Sequence, residues 1–579
     1  MRPTTPIALV VLLYCMAISL TAQDVEQTWK DLKTRLDNPL EVNGGVGLQL
    51  QSYGTSLPID RAVPFNGTLT ANLNIRTLGA ETPLNFIYSS GGTAFNVLLP
   101  SFGFAGMSPT YRDYTLHLGD RTVTLGKYSF SNHSFRGVGG EINKDRWYSR
   151  LFYGRLHRAQ ASDFNGFQNI DPLFRRRGFG ILAGGHPIED GKVEFSLFKA
   201  WDEPGSLGTF ADSTLIVNPG ENVIFSTLIE QNLFQKFKIL LNYSNSGFTA
   251  DRTVRRSDAD ASKRSLFGIL ETNGTTRWNN ALETRISFLA GFASFDLTYE
   301  RIDPGYRTMG ALFFQDDQEN FTIGITTQLF NNVLSLIGNG GLQNNNLDGT
   351  RSDKYRRWIG SLQGNLRISK KVSASLGYSN FSSVNRQVRI LDPSAPNRLT
   401  ELALTNDNIN ASIQYKIGAN DQLLSNFTHQ NNQTITQDEN IAETSNNVTN
   451  AMIMYRRNWL EEKLGLGIQI FQNNFSMSFL DQRQLGVNVQ VSKSLLDGRL
   501  KGSVAMSYLN NQQHELMTDQ KKVGNLWQFR PSLNYEIKQG QRISFDGSVL
   551  SNHGNNIDAF QESRLRLNYQ FDFQRLKKS

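Results

Sequence analysis

The segment SRLRLNYQFDF, from Ser563 to Phe573, alternates apolar and polar side chains along its whole length. Apolar residues take every second position from Leu565 onward, and arginine, asparagine, glutamine and aspartate lie between them. Successive side chains of a β-strand point to opposite faces, so this segment predicts a strand with one apolar and one polar face. Such two-faced strands are typical of a wall that separates lipid from a watery lumen.

The same alternation recurs along most of the chain. Further examples lie at residues 69–75, 321–329, 409–417, 464–470, 485–491 and 500–508. Beyond the N-terminal segment no run of 18 apolar residues occurs, so we expect no bilayer-spanning helix. Each alternating segment is a weak signal alone, but their repetition indicates a membrane β-barrel.

Short and long connections alternate between these segments. Tight turns are predicted at residues 190–191, 234–235, 331–332, 369–370, 420–421, 497–498 and 539–540. Long polar loops are predicted at residues 246–275, 304–319, 343–354, 382–405, 430–447 and 510–524. With both termini on one side the strand number is even. The prediction is an all-β fold: a large closed antiparallel transmembrane barrel of about 26 strands, within roughly 22 to 28.

The N-terminus has the features of an export signal. Arg2 precedes an apolar stretch at residues 7–20, which predicts a signal peptide over 1–22, with cleavage after Ser19 as the alternative. Residues 23–43 are predicted as a short periplasmic helix and linker, 44–573 as the barrel and 574–579 as a periplasmic tail. Sec-type export and insertion into the outer membrane follow from this plan. The one cysteine, Cys15, lies in the predicted signal, so no disulfide is expected.

Several short stretches are similar to a known family. They are Ser108 to Tyr111, Leu116 to Gly119, Gly126 to Tyr128, Phe135 to Gly139, Phe152 to Arg155, Leu197 to Ala200, Glu221-Asn222 and Asp303 to Phe314. The chain from about residue 40 onward resembles an uncharacterised family of porin-like outer-membrane β-barrel proteins of Bacteroidota. The resemblance implies a fold but no reaction or ligand. More loosely, residues 119–155 resemble the porin pattern of a strand, an inward loop and a second strand.

Basic residues are concentrated in that region. If the segment after Lys127 folds inward, the following residues would line a basic pore constriction: Arg112, Arg121, Lys127, His133, Arg136, Arg150 and Arg155. A ring of cations in a narrow lumen favours anions. The alternative is that these side chains pair with lumen carboxylates or with lipid headgroups.

Other chemistry has less support in the sequence. His133 lies between Ser131 and Ser134, but adjacent strand residues point to opposite faces, so no catalytic site is predicted and the protein is expected not to be an enzyme. Asp316, Asp317 and Glu319 could hold a calcium ion, but solvated acidic loops are commoner, and no metal or cofactor is predicted. A net charge of +7 is mild for 579 residues and does not indicate nucleic acid.

Two functions of different classes fit the predicted barrel. The first is a pore or channel for solutes with a basic constriction. The alternative is a structural or secretion-linked scaffold that anchors a surface or periplasmic partner protein. The expected partners are outer-membrane lipid and lipopolysaccharide, the barrel-assembly machinery during insertion and, for the scaffold, a surface protein.

Overall fold

The computed structural model describes residues 40–573 with internal gaps. The gaps are residues 59–60, 78–79, 91–102, 132, 161–162, 165–168, 171, 189, 208–216, 235, 256–267, 312–313, 351–355, 381, 386–401, 437–443 and 556–558. The predicted signal peptide, periplasmic helix and C-terminal tail lie outside the described residues. The first strand begins at Leu40, inside the segment predicted as the linker.

The chain forms a closed antiparallel barrel of 26 strands. The first half of the wall comprises β1 Leu40–Thr55, β2 Phe65–Thr77, β3 Ala80–Ser89, β4 Gly103–Met107 with Thr110–Tyr111, β5 Tyr114–Thr122, β6 Ser134–Asn143, β7 Trp147–His157, β8 Arg176–Gly185, β9 Gly191–Asp202, β10 Glu221–Leu233, β11 Phe237–Thr249, β12 Thr276–Ala290 and β13 Ala293–Ile302. The 3-10 turn Pro204–Ser206 follows β9, and a small hairpin of Asp163–Phe164 with Asn169–Ile170 lies in the β7–β8 connection.

The second half of the wall has longer strands near its end. It comprises β14 Gln318–Leu329, β15 Leu334–Asn345, β16 Arg356–Arg367, β17 Val372–Ser379 with Ser382–Asn385, β18 Leu402–Lys416, β19 Asp421–Thr436, β20 Thr444–Trp459, β21 Leu464–Met477, β22 Leu480–Leu495, β23 Leu500–Glu515, β24 Gln520–Lys538, β25 Gln541–Asn555 and β26 Phe560–Phe573. The 3-10 turn Leu496–Gly498 joins β22 to β23.

Pairing of the first and last strands closes the barrel. β1 pairs with β26 from Gly44 opposite Phe573 to Thr55 opposite Glu562, and β1 also pairs with β2. The start of β1 and the end of β26 therefore lie at one end of the barrel, which we call the turn end. The opposite end is the loop end. The predicted closed barrel of about 26 strands is confirmed.

Large apolar side chains cover the outer face of the wall. Ile323, Val504 and Leu565 are 44–49% exposed, and each belongs to an alternating segment whose intervening residues face the lumen. Exposed apolar surface on this scale requires lipid around it, which defines a transmembrane barrel. No helix in the described residues is long and apolar enough to cross a membrane.

Two of the predicted loops are largely strand. β19, β20, β23 and β24 include residues 430–436, 444–447, 510–515 and 520–524, and the connection between β23 and β24 is only residues 516–519. β24 is 19 residues long, whereas about 9–11 residues suffice to cross a bilayer. The wall therefore extends beyond the apolar belt, and its polar residues there are in strands because cross-strand pairing continues.

The tight turns are where the sequence places them. Asp190, Asn331, Asn332 and Asp497 all have φ between 52° and 66°, the left-handed conformation that asparagine and aspartate tolerate in hairpin turns. These turns fix the register of their hairpins, so the apolar positions of neighbouring strands meet on one face.

Candidate functional site

One connection at the loop end folds into the lumen and packs against the wall. This first inner loop, residues 123–133, contains Phe130, whose side chain is completely buried. The ring centroid of Phe130 lies 4.5 Å from that of Phe152 and 5.3 Å from that of Phe198. Leu125 is 3% exposed and lies over Gly180, where any Cβ atom would overlap it. The predicted pattern of strand, inward loop and strand is therefore present, and the loop is held by an apolar core inside the barrel.

A second connection meets the first inside the lumen. This second inner loop, residues 303–317, donates a hydrogen bond from the Tyr306 hydroxyl to the Tyr128 carbonyl oxygen at 2.9 Å, and one from Thr308 Oγ1 to the Ser129 carbonyl oxygen. Gly310 pairs with Phe130, and a Cβ atom at Gly310 would overlap the Ser129 carbonyl oxygen. The two loops therefore support each other, about 180 residues apart in the chain.

A buried asparagine on the wall holds the second inner loop. Asn222 is fully buried, its Nδ2 donates to Ser246 Oγ at 2.9 Å, and its Oδ1 accepts from the Met309 amide at 3.1 Å. Ser246 Oγ in turn donates to the Arg307 carbonyl oxygen at 2.6 Å. Because each buried polar group has a partner, the loop is fixed without loss of hydrogen bonds.

Lys127 lies at the tip of the first inner loop and contacts two carboxylates of the wall. Its Nζ is 2.9 Å from Glu283 Oε2 and 2.6 Å from Glu300 Oε1, and Arg285 pairs with Glu283 at 2.6 Å. Burial acts to lower the pKa of Lys127, but the attraction of Glu300 and Glu283 outweighs it and holds that pKa above its usual value. The cluster has two cations and two anions, so its formal charge is zero.

Three more of the predicted basic residues face the lumen. Arg121 donates to the Pro83 carbonyl oxygen at 2.9 Å, and Arg150 Nε lies 3.4 Å from Glu141 Oε2. His133 is 7% exposed, with Nδ1 2.7 Å from the Ser134 carbonyl oxygen, and burial lowers the pKa of its imidazole, which favours the neutral form. With Lys127, these residues form the lumen-facing part of the predicted set.

The other three predicted residues lie elsewhere. Arg136 and Arg155 are register partners and alternate with the buried lumen residues Phe135 and Phe152, so both side chains point to the outer face. Arg112 lies in the β4–β5 turn with φ 52°, its guanidinium 5.4 Å from the Tyr111 ring centroid. The structure therefore does not bring all seven residues together.

The opposite side of the lumen, formed by β19 to β25, is lined by amides and hydroxyls with apolar side chains among them. A recess of about 670 Å³ opens there, and Arg530 is the one charged side chain among the described residues that line it. Other lining residues are Asn450, Asn473, Asn488, Ser507 and Gln528. This surface can accept and donate hydrogen bonds but has little charge.

A hydrogen-bonded chain that the sequence did not indicate lies on the lumen side of β5. Ser108 Oγ lies 2.7 Å from His117 Nδ1, and His117 Nε2 lies 3.0 Å from Glu141 Oε1. In the sequence His133 stands out because of its flanking serines, whereas Ser108, His117 and Glu141 lie on adjacent segments that only the register brings together.

The order of these groups is that of a hydrolase triad, but neither Ser108 nor Pro109 offers a free backbone N–H to an oxyanion. The Ser108 amide donates to the Pro83 carbonyl oxygen at 3.1 Å, and the next residue, Pro109, has no N–H. Serine hydrolases of different classes use the N–H of the nucleophile or that of the next residue as one of their oxyanion donors. Ser108 and His117 are each 8% exposed. We therefore interpret this chain as a link between strands.

The acidic residues suggested for calcium are engaged in the loop bases. Asp316 Oδ2 accepts from the Gly305 amide at 2.7 Å, Asp317 Oδ1 accepts from the Leu347 amide at 2.8 Å, and Glu319 Oε1 accepts from the Tyr299 hydroxyl at 2.8 Å. Among the described residues there is no group of three or more histidine, cysteine or acidic side chains that could hold a metal ion.

Comparison with known proteins yields only remote structural likeness. No sequence family and no curated protein matches the chain, so membership of the Bacteroidota family stays a prediction. The ferric preacinetobactin receptor BauA from Acinetobacter baumannii is 8% identical, with TM-score 0.37 and coverage of 91% of this chain and 80% of that one.

Two other solved structures are similarly remote. The translocation pore of the P pilus usher PapC is 9% identical, with TM-score 0.38 and coverage of 92% and 100%. The copper transporter OprC is 9% identical, with TM-score 0.41 and coverage of 91% and 80%. Likeness at this level gives no information about what this chain transports or binds.

Proposed function

We propose that this protein is a pore of the outer membrane for polar solutes, narrowed on one side by the two inner loops. The observation that carries the proposal is the division of the lumen. One side is filled by loops fixed through Phe130 and Asn222, and the other has a recess of about 670 Å³ lined by amides, hydroxyls, apolar side chains and a single arginine among the described residues. A wide barrel lined in this way suits hydrated solutes.

The constriction in this proposal contains fewer of the predicted basic residues. Its cations are Arg121, Lys127 and Arg150, and the carboxylates beside them are Glu141, Glu283 and Glu300. Cations and anions at the loop tip largely cancel, so we propose weak selectivity for ionic charge. Specificity would then depend on size and on hydrogen bonding to the amide-lined side.

Single-channel recording in a planar bilayer tests the proposal. The purified full-length barrel should give steady openings whose conductance rises in proportion to salt concentration. Folding is checked on the same sample by gel migration that changes on boiling, as expected of a closed barrel. A heat-modifiable protein that stays silent and co-purifies with a surface protein would reject the pore and support the scaffold.

A further inference from the structure

Three arginines lie side by side on the outer face of neighbouring strands. Arg136 on β6 is opposite Arg155 on β7, and Arg155 is opposite Arg177 on β8. We call these three residues the arginine row. Directly opposed residues have Cβ atoms about 5 Å apart, and like charges in that position repel each other. Anions beside such a row therefore stabilise it.

Carboxylates contact the two ends of the row but not its centre, which Asp120 attracts only from beyond contact distance. Arg136 Nε donates to Asp120 Oδ1 at 2.8 Å, and Arg177 Nε lies 2.6 Å from Glu203 Oε1. Within the described part of the chain, the Arg155 guanidinium has no carboxylate within 4.0 Å.

Two more cations add to the charge at this position. Arg158 and Arg175 both lie close enough to Arg155 to repel it, and Arg175 shares the Glu203 carboxylate with Arg177. Five guanidinium groups (residues 136, 155, 158, 175 and 177) face two carboxylates (Asp120 and Glu203), which leaves a formal charge of +3.

The row follows directly on the apolar belt. Val138, Tyr153 and Phe179 are in register with one another, two residues along the same strands, and Val138 and Tyr153 are 45% and 38% exposed. Two residues of strand span about 7 Å. Arg177 Nη1 also donates to the Tyr153 hydroxyl at 3.3 Å. The row therefore lies at the height where hydrocarbon gives way to headgroups, at the loop end of the barrel.

We propose that the arginine row binds the phosphate group of a phosphorylated outer-leaflet lipid, with Arg155 as its central ligand. A guanidinium fork matches phosphate oxygens with two parallel hydrogen bonds. The acyl chains of the same lipid would pack on Val138, Tyr153 and Phe179. The inference uses the proposed membrane location but is independent of conduction, since the row is outside the lumen.

Lipid retention tests this inference. The full-length protein is loaded with bisphosphorylated lipid A or its dephosphorylated form in neutral detergent, and bound lipid is counted by native mass spectrometry. Wild type should retain the phosphorylated form. Arg155→Gln should bind it roughly tenfold more weakly, as expected for loss of charge-assisted hydrogen bonds. Arg457→Gln is the matched control, because Arg457 is an outward arginine beside an aromatic ring at the turn end.

The outcomes separate the sources of phosphate and the two proposals. Displacement of the lipid by equimolar inorganic phosphate, or equal retention of dephosphorylated lipid, would overturn a lipid phosphate site. A lipid phosphate site would also be overturned if Arg155→Gln retained the phosphorylated lipid as well as the wild type does. The conductance of Arg155→Gln should equal that of the wild type. The pore proposal can therefore be rejected while the lipid-site proposal is upheld, and the lipid-site proposal can be rejected while the pore proposal is upheld. If Arg155→Gln does not fold, Arg155→Lys should show weaker retention, and unchanged retention would contradict the role of the fork.

Discussion

The two sides of the lumen differ in what covers them. From β6 to β10 the inward side chains include Phe135, Phe152 and Phe198, all at most 2% exposed beneath the first inner loop. From β20 to β23 the equivalent positions include amides and hydroxyls such as Asn450 and Asn488, which line an open recess together with Phe471. The composition of a barrel's inner face therefore reports whether protein or water lies against it.

Strand length follows the same division. β5 to β8 have 9–11 residues, whereas β22 and β23 have 16 each. The short strands β5 and β6 are joined by the first inner loop, which turns back into the lumen, and the long strands extend the wall in place of loops. One side of the barrel is thus narrowed by inserted chain, and the other is built as a tall polar surface.

The largest expected effect is loss of the core beneath the first inner loop. Phe130→Ala should destabilise that loop by about 3–5 kcal/mol, because a fully buried ring is replaced by a cavity. Trypsin cleavage after Lys127 should accelerate, while heat-modifiable migration persists. The matched control is Phe471→Ala on the amide-lined side, where the ring is only partly buried and cleavage should stay slow. Equal cleavage in both variants would remove the distinction between the two sides.

The next effect concerns the wall contact of the second inner loop. Asn222→Ala removes the acceptor for the Met309 amide and should cost about 1–3 kcal/mol locally, since a buried donor loses its partner. Hydrogen exchange at Met309 is the measurement. Asn488→Ala, on the water-filled side, removes the acceptor for Ser507 Oγ and should leave exchange in its strands nearly unchanged. Unaltered exchange at Met309 would show that other contacts hold the loop.

A smaller effect is expected on ion selectivity. Lys127→Glu places a third carboxylate beside Glu283 and Glu300 and should shift the reversal potential in a salt gradient toward cation preference. Arg155→Glu changes the chain's charge equally but on the outer face, so it should leave the reversal potential unchanged. A shift in both variants would indicate a long-range field and not a constriction.

The smallest effect is expected on the amide-lined side. Asn488→Asp adds one carboxylate where the lumen is wide, and at 0.15 M salt its field is screened within about 8 Å. The shift in reversal potential should therefore be well below that of Lys127→Glu. A shift as large as that of Lys127→Glu would place the narrowest point of the passage beside β22.

Much of the fold was predictable from the sequence because its signals are local. Alternation such as that from Leu565 to Phe573 and hairpin turns such as Asn331-Asn332 gave a strand number that the structure confirms. The ends of β19 and β23 were not predictable, since polar residues above a membrane occur equally in loops and in strands. Composition distinguishes water from lipid, but it does not distinguish paired from unpaired backbone.

The site was less predictable because it depends on distant contacts and on register. Tyr306 and Tyr128 meet across 178 residues, a separation that no local pattern encodes. The faces of Arg136 and Arg155 depend on Phe135 and Phe152 pointing inward, against the usual rule that apolar residues face lipid. That exception is caused by the inner loop itself, so sequence alone could not assign these arginines to a face.

A pair of serine substitutions tests the division of the lumen most directly. Ser226 is 5% exposed beneath the first inner loop, next to Gly126, and Ser507 lines the open recess. Cys15 is the one cysteine of the sequence, so with Cys15 replaced by serine each cysteine variant offers one target. A charged thiol reagent added during single-channel recording should modify Ser507→Cys quickly and lower its conductance, while Ser226→Cys stays unmodified. Equal modification at both positions, or none at Ser507→Cys, would contradict a passage along the amide-lined side.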